Sequence, residues 1–322
     1  LIILDEATVY NVGHLFGFFS IFNNDAIKDV TIIKGGFPSY YGGRLSSVLD
    51  IRMNEGNSNK YHADGGVGLL SSRLTLQGPI KKEKMSFIIS ARRTYIDQVF
   101  GLLKIKIPYY FYDLNSKINY KISEKDRIFF SSYFGNDVLY LAEKDQETES
   151  LLDFGFTLGN FTSTLRWNHI FNKKIFSNLS FIHTRFKYDI EGKFENNSLF
   201  IGSKIKDYTL KYDFDHFLNP ENHVRYGLNI TSHTFSPNVI STSGEISQFL
   251  KSKNEKIIPT QEFGIYASND TEINRMWKLN YGLRVSSTLT EGTFYGGIEP
   301  RVSAKYSLNE TSSIKASYSR MK

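Results

Sequence analysis

The chain has 322 residues, with 26 Phe, 20 Tyr, no Cys and a formal net charge of +6 spread along its length. Lacking cysteine, it has neither a disulfide scaffold nor a thiolate zinc site. No apolar run approaches the ~18 residues of a membrane helix, and no basic block marks a nucleic-acid partner.

Residues 1–58 read as one unit. Leu1–Tyr10 looks like a buried strand and lacks the charged start and cleavage site of a signal peptide. Asn23-Asn24-Asp25 is placed to cap a short helix over Ala26–Val30, because Asn and Asp accept the free first-turn N–H groups. A strand over Thr31–Lys34 follows, then turns at Gly35-Gly36-Phe37-Pro38 and Tyr41-Gly42-Gly43-Arg44. Val48–Met53 closes the unit before the polar linker Asn54–Lys60. The expectation is the end of a small α/β domain.

From about residue 61 the pattern turns to strict alternation, the signature of strands with one apolar and one polar face. Val224, Tyr226, Leu228 and Ile230 oppose Arg225, Gly227, Asn229 and Thr231. Tyr208, Leu210, Tyr212 and Phe214 oppose Thr209, Lys211, Asp213 and Asp215, and Trp277 to Val285 repeats the scheme. Weaker versions fall at 74–80, 85–91, 161–168, 262–268 and 312–320, with mixed stretches near 128–134 and 175–190.

Short polar turns, such as Ser123–Asp126 and Asn172–Lys174, alternate with longer connections near 94–109, 136–152, 190–199, 236–259 and 287–298. Outer-membrane barrels have this asymmetry, with the long loops outside. Phe171, Phe217 and Trp277 beside short turns would form an aromatic girdle. Strands of ten or more residues exceed the ~5–6 usual in soluble sheets and match the ~9–11 that cross a bilayer. The pattern therefore predicts an all-β membrane protein, an antiparallel transmembrane β-barrel. The count is about 13 strands, an odd number that no closed single-chain bacterial barrel has, so the chain reads as part of a longer one.

Residues 25–53 carry a resemblance. Asp25-Ala26-Ile27, Lys34-Gly35-Gly36-Phe37-Pro38 and Tyr40-Tyr41-Gly42-Gly43-Arg44 through Ile51 resemble the end of the plug domain of TonB-dependent receptors. Val9–Gly17 and Ala91-Arg92-Arg93-Thr94-Tyr95 are similar to a subgroup with a carboxypeptidase-regulatory-like domain ahead of the plug. Pro38 stands two places after the position where many members carry Pro. The resemblance implies a plug end over 1–58 and a partial barrel over 59–322, about 13 of 22 strands. It implies a bacterial outer-membrane location and energy-coupled uptake of a nutrient, with TonB engaging a segment ahead of residue 1. A surface lipoprotein is a further implied partner. A receptor-like barrel serving as a structural part of a larger envelope complex is the competing function.

No catalytic constellation is present: there is no G-x-S-x-G elbow and no H-E-x-x-H pair. No metal or cofactor is expected. His216 near Asp213 and Asp215 is the closest cluster, and it reads as lumen charge balanced by Lys211 or a neighbouring strand. Gly35, Gly36, Gly42 and Gly43 are expected to supply positive φ and close backbone approach. Pro38 and Tyr41 shape the turns, and Arg44 is the expected latch, pairing with barrel carboxylates. Arg92 and Arg93 are candidates for ligand contact or for outer-membrane lipid and lipopolysaccharide, one facing the lumen and one the headgroups.

Overall fold

A computed structural model describes residues 1–14, 17–43, 47–102, 108–144 and 151–321. The chain builds a small sheet and a large one. In the small sheet β1 (Ile2–Leu4), β2 (Ala7–Thr8), β5 (Ile27–Ile33) and β6 (Val48–Met53) lie in the order β2-β1-β6-β5, with β1 parallel to β6. β3 (Gly13–His14) and β4 (Phe19–Ser20) pair separately. Leu4, Val9, Ile21, Ala26, Ile51 and Met53 form its core, closed on one side by Tyr133 of the large sheet.

The helix expected over Ala26–Val30 is not formed. Asn23 does cap, its side chain accepting from the Asp25 N–H at 3.2 Å, but the helical turn is a 3-10 segment limited to Asn24–Ala26. The β-branched run Ile27, Val30, Thr31, Ile32, Ile33 then pairs antiparallel with β6. Such side chains lose rotamer freedom in a helix and fit a pleated sheet. The unit holds no α-helix among its described residues.

The large sheet has thirteen antiparallel strands in chain order: β7 (His62–Val67), β8 (Ser71–Lys81), β9 (Met85–Thr94), β10 (Tyr109–Lys121), β11 (Asp126–Lys144), β12 (Leu151–Ile170) and β13 (Ile175–Phe194). It continues through β14 (Asn197–Asn219), β15 (Asn222–Ser243), β16 (Ile258–Glu272), β17 (Trp277–Thr290), β18 (Thr293–Ser307) and β19 (Ser313–Ser319). The number agrees with the alternation.

Its burial is inverted relative to a soluble protein. Asp113, Asn115, Lys117, Thr162, Asp207, Asp213, Arg284, Glu299 and Arg301 are buried, while Leu165, Phe181, Leu210, Ile230, Ile265, Leu283 and Val285 are exposed. Polar groups go inside and apolar groups outside when the outer solvent is hydrocarbon. Trp167, Phe171, Phe217 and Trp277 are exposed beside the short turns, at the level of a girdle.

Of the connections expected as long loops, 190–199 and 287–298 are mostly strand, whereas residues 244–257 form an extended connection between β15 and β16. β13 and β14 meet at a two-residue turn with Glu195 at φ 52°, and β17 and β18 at Glu291-Gly292 with φ 46° and 79°. Positive φ at the tip suits the twist of a tight hairpin. β12 to β15 are 20 to 23 residues long, about twice a bilayer span, so their far halves project beyond it. A short α-helix, Ile96–Leu102, occupies part of the 94–109 connection.

Candidate functional site

The small unit sits against the polar face of the large sheet, and three groups of side chains hold it there. The first lies on the turn from residue 35 to 43. Arg301 of β18 donates from Nη1 to the carbonyl oxygens of Pro38, at 2.9 Å, and Tyr41, and its Nη2 lies 2.6 Å from Glu299. Arg301 also covers the Phe37 ring at 5.3 Å, and Arg225 of β15 covers the Tyr40 ring at 4.1 Å, within cation–π range. Ser39 donates to the Ala267 carbonyl at 2.9 Å. Tyr41 donates to Asp50 at 3.0 Å, and burial together with that carboxylate pushes its phenol well above the usual range.

The glycines divide. Gly36 has φ 59° and a Cβ there would stand 2.6 Å from the Ser317 Cβ. Gly43 has φ 69°. At Gly42 a Cβ would overlap the Arg284 guanidinium, which is crowded on its other side by Gly264. Gly35 has neither a positive φ nor any atom within 4 Å of an added Cβ. The freedom expected at four glycines is thus required at three. Arg44, the expected latch, lies outside the described residues. Among those described, the cations at this turn come from the large sheet and address backbone carbonyls and rings of the small unit.

The second group holds the hairpin between β1 and β2. Asp5 and Glu6 both have positive φ, 44° and 75°, an uncommon conformation for residues with side chains. Each carboxylate meets a wall cation: Lys117 lies 2.9 Å from Asp5 and Arg166 lies 3.2 Å from Glu6. Lys117 also donates to the Met53 carbonyl at 3.1 Å. Burial raises the Glu6 carboxyl, but the Lys211 and Arg166 charges outweigh it and hold it below the usual range. These ion pairs keep the turn in place against its backbone cost.

The third group surrounds His14. Its ring stacks on Phe111 at 4.0 Å, with Nδ1 2.8 Å from Asp137 and Nε2 3.5 Å from Asp113. Burial disfavours the imidazolium, but hydrogen bonds to Asp113 and Asp137 prevail and raise its pKa. Arg92 joins here, 2.7 Å from Asp113 and donating to the Ser20 carbonyl at 2.7 Å. Arg93 points to the other face and covers the Tyr110 ring at 5.2 Å. So Arg92 contacts the small unit and Arg93 faces outward.

Between the small unit and β11 to β17 lies a cavity of about 680 Å³. Arg52, Arg127, Arg166, Lys211, Arg225 and Arg284 line it with Glu6, Asp50, Asp207, Asp215 and Glu262, a polar wall of both signs. Asp213 is paired with Lys211 at 2.8 Å and Arg225 at 3.0 Å, so this carboxylate serves lumen charge balance. Among the described residues no group of three His, Cys, Asp or Glu is placed to hold a metal. The sequence reading missed the convergence of Arg225, Arg284 and Arg301, although all three sit on polar strand faces. Alternation assigns a face, not the neighbours across the lumen.

A sheet with a polar inner face, an apolar outer face and a small unit seated on the polar side has the architecture of an outer-membrane β-barrel. The family model described as TonB dependent receptor-like, beta-barrel matches residues 93–320. The chain belongs to this family, whose members are proteins of the bacterial outer membrane. No curated protein sequence matches it. Among solved structures it is similar to the FrpB iron transporter from Neisseria meningitidis, with TM-score 0.69, 14% identity, and coverage of 99% of this chain and 56% of that one. It is also similar to a mutant of the ferric enterobactin receptor from Pseudomonas aeruginosa, with TM-score 0.69, 13% identity, and 100% and 54% coverage. A third is the FpvAI–pyocin S2 complex, with TM-score 0.68, 13% identity, and 99% and 50% coverage. The chain spans about half the length of these proteins.

Proposed function

We propose that this chain, as part of a longer protein, serves energy-coupled uptake of a polar nutrient across the outer membrane, driven through TonB. Residues 1–58 act as the end of the plug and 59–322 as the barrel part. The observation that carries the reading is the mode of attachment: discrete polar contacts hold the plug to the wall, Arg301 to Pro38, Lys117 to Asp5 and Arg92 to Ser20. These contacts are discrete and directional, so a pull on the plug can break them one at a time. The cavity wall of mixed charge suits a polar cargo.

The test is growth of the parent bacterium on single limiting nutrients, with the intact gene deleted and, separately, with TonB deleted. Ferric chelates head the panel, since solved relatives are named as an iron transporter and a ferric enterobactin receptor. Loss of growth on one nutrient in both strains supports the proposal. A TonB-independent defect in envelope assembly, with growth on every nutrient intact, would favour the structural role.

A further inference from the structure

The outward face of β13 and β14 carries an arrangement that neither strand pairing nor plug attachment uses. Arg185 is the direct cross-strand partner of Lys206, and Lys187 of Lys204. Arg185 and Lys204 are exposed, whereas the inward neighbours Thr184 and Asp207 are buried. The four cations therefore form two rungs on the face that meets lipid. Like charges directly opposite on a sheet destabilise it, so the arrangement calls for a counter-charge.

The fold places the rungs at a definite height. Arg185 lies about ten residues along β13 from its short-turn end at Ile175, and roughly 9–11 tilted residues cross the hydrocarbon. Immediately below are the exposed rings of Phe181 and Tyr208, with His183 stacked on Tyr208 at 4.5 Å. Rings of this kind sit at headgroup level. The rungs thus begin where the outer leaflet's polar headgroups begin.

The nearby acids lie on the side away from the membrane. Asp189 pairs with Lys187 at 3.2 Å, and Glu255 accepts from Ser236, the cross-strand neighbour of Lys204. The lower rung is flanked by Phe161 beside Arg185 and Thr234 beside Lys206. Among the described residues, Arg185, Lys204 and Lys206 form no ion pair with a carboxylate. We infer that Arg185, Lys187, Lys204 and Lys206 form a docking site for the phosphate groups of an anionic outer-leaflet lipid. Arg and Lys hold phosphate oxygens by charge-assisted hydrogen bonds. Two rungs two residues apart, at ~3.3 Å per residue, place the charges ~7 Å apart along the strands, room for more than one phosphate. This site is independent of the transport reading, and it lies on β13 and β14, apart from Arg93.

The test is native mass spectrometry of the intact protein with bis-phosphorylated lipid A and the same lipid stripped of phosphate. The wild type should prefer the phosphorylated lipid at least tenfold. The fourfold variant R185Q/K187Q/K204Q/K206Q should lose that preference, while the charge-keeping R185K/K187R/K204R/K206R and the far-end variant K173Q/K174Q should keep it. Folding is checked by heat-modifiable gel mobility. If the fourfold variant does not fold, the single-rung variants R185Q/K206Q and K187Q/K204Q are read instead, each with a several-fold loss. Equal binding of the two lipids by the wild type, or unchanged preference in a folded Gln variant, overturns the inference.

Discussion

Arg301 of the barrel wall donates to the Pro38 carbonyl of the plug turn at 2.9 Å while it neutralises Glu299. Both charged groups are buried, and removing one partner of a buried pair costs about 3–5 kcal/mol because the other is stranded. R301A is therefore expected to lower the thermal midpoint of the intact protein, and E299Q/R301Q to recover part of the loss. Limited proteolysis should cut residues 35–43 faster in R301A. Equal stability of R301A and the wild type would show that the turn is held elsewhere.

Two adjacent glycines give a sharper contrast. G36A forces a side chain into φ 59° and against Ser317, with an expected cost of about 1–3 kcal/mol. G35A meets open space and should be nearly silent. Chemical denaturation of both variants separates them. Equal effects would mean that this turn does not rest on the β19 wall.

This contrast shows where sequence reading stops. Alternation assigned Asp213, Arg225, Arg284 and Arg301 to polar faces because side-chain direction has a period of two residues, a local property. It could not show that Arg284 lies between Gly42 and Gly264, or that Gly35 and Gly36 differ, because those facts depend on what faces them across the lumen. The segment after Asn23 was misread for a related reason: a good cap announced a helix, but pairing of Ile27–Ile33 with β6 prevailed. The hairpin tip at 190–199 was read as a loop, yet β13 and β14 stay paired up to Phe194 and Asn197, because hydrogen-bonded pairing continues past the span that crosses the bilayer.

His14 makes one plug contact sensitive to pH. Its folded pKa is raised, so the imidazolium between Asp113 and Asp137 contributes stability that is fully present below the unfolded value of about 6.5. That contribution fades as pH rises through the folded value. The thermal midpoint of the wild type should fall relative to H14Q as pH increases across that window, and the two curves should run parallel above it. A constant offset between them at all pH values would show that His14 acts through its stacking on Phe111 alone.

The inside-out burial makes the most direct prediction about solvent. Ile265 and Val285 are cross-strand partners near the middle of β16 and β17, and both are exposed, Ile265 at 67%. If that face meets hydrocarbon, I265R places a cation near the bilayer midplane at a cost of about 2–4 kcal/mol. The same substitution on a water-facing strand would cost little. On the inner face Ser268, buried beside the plug, has no hydrocarbon to meet; S268A should move stability by less than about 1 kcal/mol. Folding titrations of the intact protein in lipid vesicles measure both. A strong loss for I265R that disappears for I265F identifies lipid as the solvent, because Phe keeps the apolar surface and changes only the shape. If I265R and I265F behave alike, the exposed apolar face is covered by protein instead.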